Sequence, residues 1–583
     1  MIYTDKRINA SGPRSNVALA AIGMAPQKWE VADGIPFTGP SGRIFNDCLT
    51  IHKMHRSAVY VTNICNFYID DNDLYSVPEE IMEAERRRVF DELDKVKPNC
   101  LLVMGADTLD LLTAKSIYTT KKGELATYGS KKGIIKWRGS IFELETPSGR
   151  KQKCVAAMHP ASFIRGQWKW LPLYKYIDVQ RAVIQSSFPD MRLTSREAIT
   201  GPSFRAAKDF LREANQKEWL SIDYEGRSHL TCLGIGWMAS QAMCLPLSRV
   251  GASTYWTLEE EIEIWRLWCG ILQNPKVKKI AQNAAYEWIK SWMYGIYPNP
   301  LGMDTMHMHH CLYPDWGGIT DEWAKRKRDI DNPGHGLALI TSQYTDQPFY
   351  KDDGRHWTPE LGEDAFWRYN CLDVMVTFEA AMKMQNELQR VGLWGTYCEM
   401  YRDVFEHTIR MEWLGTPYDL PLRDATRASM LVEMKELGEK LKEATGFTVI
   451  TKTEIKGQKP LPGVLNLASP KQLAKFLYEV RKYPVKLNRK TGAVSTDRDV
   501  LQALAIKHND EGLRGIINLQ AMQNLLEKVI DVKLDDEGRI HCHFRIGGTN
   551  GTRWSSTESI LESGTNLQNI HRQGVARSLF IPN

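Results

Sequence analysis

The sequence predicts a multidomain α/β protein whose last third is mainly helical, and three observations predict it. Over roughly residues 1–190, apolar runs of strand length alternate with helical stretches. Near residue 220, three consecutive strand-like runs with short polar turns open a second unit of mixed type. From about residue 394 the pattern changes to long segments with apolar residues at helical spacing. A chain of 583 residues accommodates roughly three to five domains. We place the divisions at 1–190, 200–390 and 394–583.

In the first unit "NVALAAIGMAP", "AVYVTNICN", "NCLLVMGAD" and "KCVAAMHPAS" read as strands, and "SGRIFNDCLTIHKM" and "VPEEIMEAERRRVFDELDKV" as helices. Each strand run ends in Gly, Pro, Asn or His. Ligands of open α/β sheets gather at those carboxyl ends. In the second unit "WLSIDYE", "HLTCLGIGWM" and "AMCLPLS" suit an antiparallel meander. Helices follow, among them "TLEEEIEIWRLWCGIL" and the stretch from Pro359 to about Arg390. In the third, "ATRASMLVEMKELGEKLKEATG" has apolar residues at helical spacing, and the basic strip "VRKYPVKLNRKTG" interrupts the helical pattern. The tail "RIHCHFRIGGTNGTRWSS" returns to strand and turn. There is no internal repeat and no low-complexity tract.

Composition narrows the function classes. The chain is 43% apolar and 25% charged, ordinary for a soluble globular protein. A net charge of +5 permits a nucleic-acid partner without requiring one. Eighteen Trp suit aromatic cores or base-stacking surfaces. The 11 Cys include no CxxC pair, which argues for a reducing compartment and against a disulfide scaffold, a structural zinc or an iron–sulfur cluster. The N-terminus "MIYTDKRINASGPRSN" lacks the apolar core of a signal peptide, and no apolar run is long enough to span a bilayer. A cytoplasmic protein without a membrane partner is expected.

The stretch "LSIDYEGRSH" poses a physical problem. Asp223 and Glu225 stand at i and i+2 of a strand, so their side chains share a face and repel. In "AQNAAYEWIK", Asn283 and Glu287 are four apart on a predicted helix, and in "FWRYNCLDVM" Tyr369 and Asp373 repeat that spacing. Asp223, Glu225, Glu287 and Asp373 therefore form a candidate carboxylate cluster. Such a cluster needs compensating positive charge, and hard divalent cations bound by oxygen, Mg²⁺ or Mn²⁺, supply it. Two such ions about 4 Å apart stabilise the attacking and leaving oxygens of a phosphodiester displacement. Tyr369 would orient the attacking water. Taken singly, each pair also fits an exposed strand face or a plain helix surface.

In order and separation, these three pairs resemble the exonuclease motifs of the DEDDy 3′–5′ exonucleases. That resemblance implies an RNase H-like fold over about 200–390, a proofreading role, and a single-stranded 3′ end as substrate, with Asn283 near the DNA. The family usually has Asp where this chain has Glu287.

Further on, "MEWLGTPYD", "LNLASPKQLAKFLYE" and "VSTDRDVLQALA" resemble thumb-side elements of family A DNA polymerases. "GGTNGTRWSSTESILESGTNLQNIHRQGVARSLFIP" resembles the segment leading into that family's palm. The family spells part of it T-G-R-L-S-S. Here Gly551 and Thr552 are transposed, while Arg553, Ser555 and Ser556 keep register. A helical arm carrying Arg481, Lys482, Lys486, Arg489 and Lys490 suits sequence-independent phosphate contacts along a primer–template duplex; a solvated loop is the alternative. The resemblance puts Arg553, Asn566 and Gln568 near the primer and template backbone. The sequence stops at Asn583, before the palm's first metal-binding Asp. The expectation is a fragment of a longer product or one half of a split polymerase whose palm and fingers are a separate polypeptide.

At the other end, "GMAPQKWEVADGIPFTGPSGRIF", "VYVTNICN" and "MHPASFIR" resemble motifs of the family 4 and 5 uracil-DNA glycosylases, which implies a glycosylase-like α/β/α domain. Phe37 would stack on an extruded base, Asn63 would bond its Watson–Crick edge, and His159 would stabilise charge developing on it. Met24 stands where family 4 has a water-activating Glu, whereas a family 5-like site tolerates an apolar residue there. The combined expectation is the front part of a replicative family A DNA polymerase with a metal-dependent 3′–5′ exonuclease. The fusion suggests a bacteriophage replisome in the host cytoplasm. An active glycosylase and a non-catalytic DNA-binding subunit are the alternatives.

Overall fold

A computed structural model describes residues 6–119, 125–226, 228–251, 254–299, 301–318, 334–451, 462–488, 492–549, 551–570 and 575–581. The chain divides into two compact units, Met1–Asp403 and Val404–Asn583.

Besides a two-stranded hairpin within residues 116–128, the described residues of the first unit form two larger sheets. Strands β1 (Leu19–Gly23), β2 (Val59–Asn63) and β3 (Cys100–Met104) are buried at every position. That is why their sequences are continuous apolar runs without alternation. With β4 (Ile141–Glu145) and β5 (Lys151–Ala157) they form a sheet in the order β2-β1-β3-β5-β4, parallel except for β4. The short helix α1 (Lys28–Asp33) and the helices α2 (Pro40–Ile51) and α3 (Glu79–Val96) are the crossovers. Two apolar layers, one around Phe67, Val89 and Leu101 and one around Phe45, Leu102 and Tyr174, make up its core.

The second sheet has the order β11-β10-β7-β8-β9-β6. Its strands are β6 (Glu197–Ile199), β7 (Trp219–Glu225), β8 (Cys232–Met238), β9 (Gln241–Pro246), β10 (Lys278–Ala281) and β11 (Leu301–Asp304). Strands β7, β8 and β9 are the expected antiparallel meander, while β10 and β11 run parallel to β7. Helices α4 (Leu258–Gln273), α5 (Ala285–Met293), α6 (Lys351–Arg355) and the 28-residue α7 (Glu363–Arg390) accompany it. α4 starts on a capping box in which Thr257 and Glu260 satisfy each other's backbone donors.

α7 crosses β8 at very short range. A Cβ at Gly234 would lie 2.6 Å from Asn370 Oδ1 and 2.7 Å from Val374 Cγ2. Only glycine fits there, and Gly234 pairs with Asp223 across the ladder. The glycine therefore sets how near α7 comes to the acids of β7.

The second unit is mainly helical. α8 (Leu420–Thr445) packs on α10 (Glu511–Leu525) beside α9 (Arg498–Lys507), around Leu441, Leu473, Phe476, Leu501 and Ile516. Strands β12 (His543–Arg545) and β13 (Ser555–Thr557) pair antiparallel near its end. No helix among the described residues is long and apolar enough to cross a membrane.

Candidate functional site

Asp223 and Glu225 share a face of β7, and α7 brings Asp373 against them. One carboxylate oxygen from each lies within 4.8 Å of the others. Asn370, one turn below Asp373, donates from Nδ2 to Asp223 Oδ2 at 2.8 Å and to the Asp223 carbonyl at 3.2 Å. Tyr369 stands one turn before Asp373 on α7, as the spacing predicts, and burial with the charge of Asp373 pushes its hydroxyl well above the usual phenol range. Tyr350 also donates its hydroxyl to Asp373 Oδ1, and Lys351 Nζ lies 2.5 Å from Asp373 Oδ2.

The acids pay for this crowding in proton affinity. Burial, then the charges of Asp373, Glu225 and Glu287, push Asp223 well above the usual carboxylate range, with Lys351 opposing. Burial and Asp373 push Glu225 up to about 7, again opposed by Lys351.

Glu287 differs from the expectation. It acts on Asp223 through its charge, yet it lies outside the group of three. The side chain is 3% exposed. Burial, with the charge of the nearby Asp304, raises its proton affinity, and the backbone at Glu287 and Tyr224 opposes the rise. Among the described residues, its Oε2 has no hydrogen-bond partner. The expectation that Asn283 and Glu287 share a helix face is corrected as well. Helix α5 begins at Ala285, and Asn283 precedes it with φ +60°. The cause is Asp304, which accepts the N–H groups of Asn283 at 3.1 Å and Ala284 at 2.8 Å. That carboxylate also accepts Met306 N–H at 2.8 Å, so one buried acid ties together two chain turns.

The donor set at Asp223, Glu225 and Asp373 fits a hard divalent cation. It is all oxygen, drawn together against mutual repulsion, with an unpartnered carboxylate oxygen of Glu287 buried nearby.

Phe37, Asn63 and His159 meet at the carboxyl ends of the first sheet's strands. Phe37 and His159 have ring centroids 5.8 Å apart. A Cβ on Gly23, the last residue of β1, would lie 2.6 Å from the Phe37 ring and 2.7 Å from Asn63 Oδ1. That oxygen is buried and has no hydrogen-bond partner among the described residues. His159 Nδ1 accepts Ala161 N–H at 3.2 Å, which leaves its proton on Nε2. Burial lowers its pKa to about 4, so the ring is neutral near pH 7.

Sequence reasoning missed Glu30. It is buried and accepts Phe37 N–H at 2.7 Å and also Gln27 N–H. Phe37 has φ +61°. Gly42 packs against its carbonyl, where a Cβ would come within 1.8 Å. Lys351, Tyr350, Asn370 and Asp304 were missed too. None belongs to a local pattern, although the i−3 spacing of Asn370 from Asp373 placed it on the same helix face.

The basic strip is not a helical arm. The helix at Pro470–Lys475 ends in a wider turn over Phe476–Val480, and the chain then runs irregularly. Arg481 turns inward, donating to the Ala444 carbonyl at 2.8 Å and lying 3.7 Å from Asp510. Lys482 and Lys486 are exposed. Arg489 and Lys490 lie outside the described residues. Arg553 is exposed, Asn566 Oδ1 accepts the Ser556 hydroxyl at 2.7 Å, and Gln568 is exposed with its N–H on Ser556 Oγ at 3.2 Å.

Two families match the chain. Residues 10–171 match the uracil DNA glycosylase superfamily, and residues 433–583 match DNA polymerase family A. The chain thus joins a uracil-DNA-glycosylase-like segment to a segment similar to family A DNA polymerases. Among relatives, it is 26% identical to DNA polymerase I of Bacillus subtilis over 53% of this chain and 31% of that one. It is 34% identical to DNA polymerase I of Bacillus caldotenax over 24% of this chain and 15% of that one. It is 27% identical to the type-4 uracil-DNA glycosylase of Archaeoglobus fulgidus over 24% of this chain and 65% of that one. The chain therefore spans about a third of the Bacillus subtilis polymerase. Among solved structures, the POL domain of Pol1 from M. smegmatis, in complex with DNA primer-template and dNTP, aligns with TM-score 0.46 and 19% identity. That alignment covers 66% of this chain and 57% of the other.

Proposed function

We propose that the chain is part of a family A DNA polymerase and degrades DNA from the 3′ end at Asp223, Glu225 and Asp373. The observation that carries this reading is the convergence of these three carboxylates, from a strand and a helix about 150 residues apart, within 4.8 Å. Divalent ions, Mg²⁺ or Mn²⁺, held by these residues would stabilise charge on the attacking and leaving oxygens of a phosphodiester. Asn370 fixes the Asp223 carboxylate, and Tyr369, one turn before Asp373, orients the attacking water. Glu287 adds negative charge behind the group. The domains in this reading are 1–190, glycosylase-like; 200–390, an RNase H-like exonuclease; and 394–583, the polymerase thumb and the start of the palm. Of the residues expected to contact DNA, Lys482, Lys486, Arg553 and Gln568 are exposed among the described residues and are available to a duplex.

Incubation with 5′-labelled single-stranded DNA and Mg²⁺ tests it. Laddering from the 3′ end that disappears in Asp223→Ala is expected. Laddering that survives in Asp223→Ala overturns the assignment.

A second reading concerns the first sheet, favoured by the orphaned Asn63 Oδ1 beside Phe37 and His159. We propose that this cluster takes up an extruded uracil, with Asn63 on the base's polar edge and neutral His159 donating from Nε2. Tighter binding of uracil-containing than of thymine-containing DNA, lost in Asn63→Ala, is expected; equal binding of both contradicts it. Alkali-labile sites formed only in the uracil substrate would add glycosylase chemistry to binding.

A further inference from the structure

The carboxylate group already holds a positive charge, and its source is unusual. Lys351 Nζ sits 2.5 Å from Asp373 Oδ2 and 4.5 Å from the centre of the Tyr369 ring, so the ammonium is held between an acid and an aromatic face. Its side chain is 26% exposed, so this is no surface lysine resting by chance on a solvated acid. Tyr350, its neighbour, bonds the other oxygen of Asp373.

Both residues ride on a segment fastened to the domain of the first sheet. Phe349 N–H donates to Ser140 Oγ at 3.0 Å, and its ring meets Trp137 edge-on at 5.4 Å. Asp352 pairs with Lys136 at 3.2 Å. Arg181 donates to the Thr345 carbonyl. Arg138, locked to Asp178 in a fully buried ion pair, donates to Ser342 Oγ at 2.9 Å. Asp346 accepts the Thr194 hydroxyl at 2.9 Å. The strap is thus secured just before, and just after, the two residues that reach into the carboxylates.

We propose that Lys351 is the resident counter-cation of the nuclease centre, delivered by a strap anchored on the glycosylase-like domain, and that it competes with divalent metal for Asp373. This rests on the nuclease reading above. One ammonium neutralises part of the acids' repulsion without metal, and a metal ion must displace it or share Asp373 with it. The first domain then sets how readily the second is loaded with metal.

Mn²⁺ binding to the full chain, followed by titration calorimetry and by the loss of free-ion paramagnetic resonance signal, tests this. Asp373→Asn should abolish the carboxylate-dependent site; if it leaves Mn²⁺ binding unchanged, the nuclease reading itself falls, and the proposal with it. Given that loss, Lys351→Met should bind Mn²⁺ about tenfold more tightly, since one opposing charge is gone. Lys351→Arg, which keeps the charge, should stay near wild type. Loosening the strap with Lys136→Ala and Ser140→Ala together should tighten binding by about threefold in the same direction. Unchanged or weaker binding in Lys351→Met, with the site still abolished by Asp373→Asn, overturns the counter-cation role. Wild-type binding in the strap variant overturns the anchoring.

Discussion

At the scale of single residues, the centre is a balance between repulsion and neutralisation. Glu225 illustrates it. Its folded pKa is raised from 4.5 to about 7, so the stability tied to its proton is present below about pH 4.5 and is lost as the pH rises through about 7. A metal bound as proposed would take the ionised form. Added Mg²⁺ should therefore raise the melting temperature more at about pH 8 than at about pH 6. Equal shifts in scanning fluorimetry would contradict the placement of Glu225 at the metal. The pairs Asp223/Glu225 and Tyr369/Asp373 were legible because strand and helix periods fix which side chains share a face. Asn283 was not, since Asp304, twenty-one residues on, captures its backbone and starts the helix later. Lys351 was hidden for the same reason: a cation 22 residues before Asp373, on a different helix, leaves no periodic trace.

At the scale of elements, close approach decides the geometry. Gly234 lets α7 lie against β8, and a methyl there would collide with Asn370 and Val374. Gly234→Ala is expected to cost about 1–3 kcal/mol in urea unfolding and to weaken Mn²⁺ binding by displacing Asp373. A variant as stable as wild type would show that the approach has slack. The opposite case is Thr552, a β-branched residue at φ +58°, which is uncommon and strained. It occupies the place where the resembling polymerase motif has glycine. Thr552→Gly should therefore gain about 1 kcal/mol in the same measurement; a loss would mean the Thr552 side chain contributes more than the backbone strain removes. The long elements were legible, from the five-residue buried strands to the 28-residue α7. The four-residue strands β10 and β11 were not read. Lys278 and Lys279 interrupt the apolar run in β10, and these parallel partners are specified by the sheet they join rather than by their own pattern. The basic strip misled because charge alone carries no period: Arg481 is consumed by Ala444 and Asp510 within its own unit.

At the scale of the whole molecule, the first unit holds two chemically distinct candidate sites on two sheets, joined by the strap from 342 to 353. Phe37, Asn63 and His159 end the strands of one sheet; the three acids belong to the other. Asn63→Ala should therefore leave 3′-end degradation within about twofold of wild type while abolishing any preference for uracil-containing DNA. Loss of both together would mean that the sites are not separable. The most direct measurement of the central claim is anomalous scattering from crystals soaked in Mn²⁺. A peak coordinated by Asp223, Glu225 and Asp373 is expected, with Lys351 displaced from Asp373 or sharing it with the ion. A well-ordered structure with those three carboxylates intact and no Mn²⁺ among them at saturating concentration would contradict it.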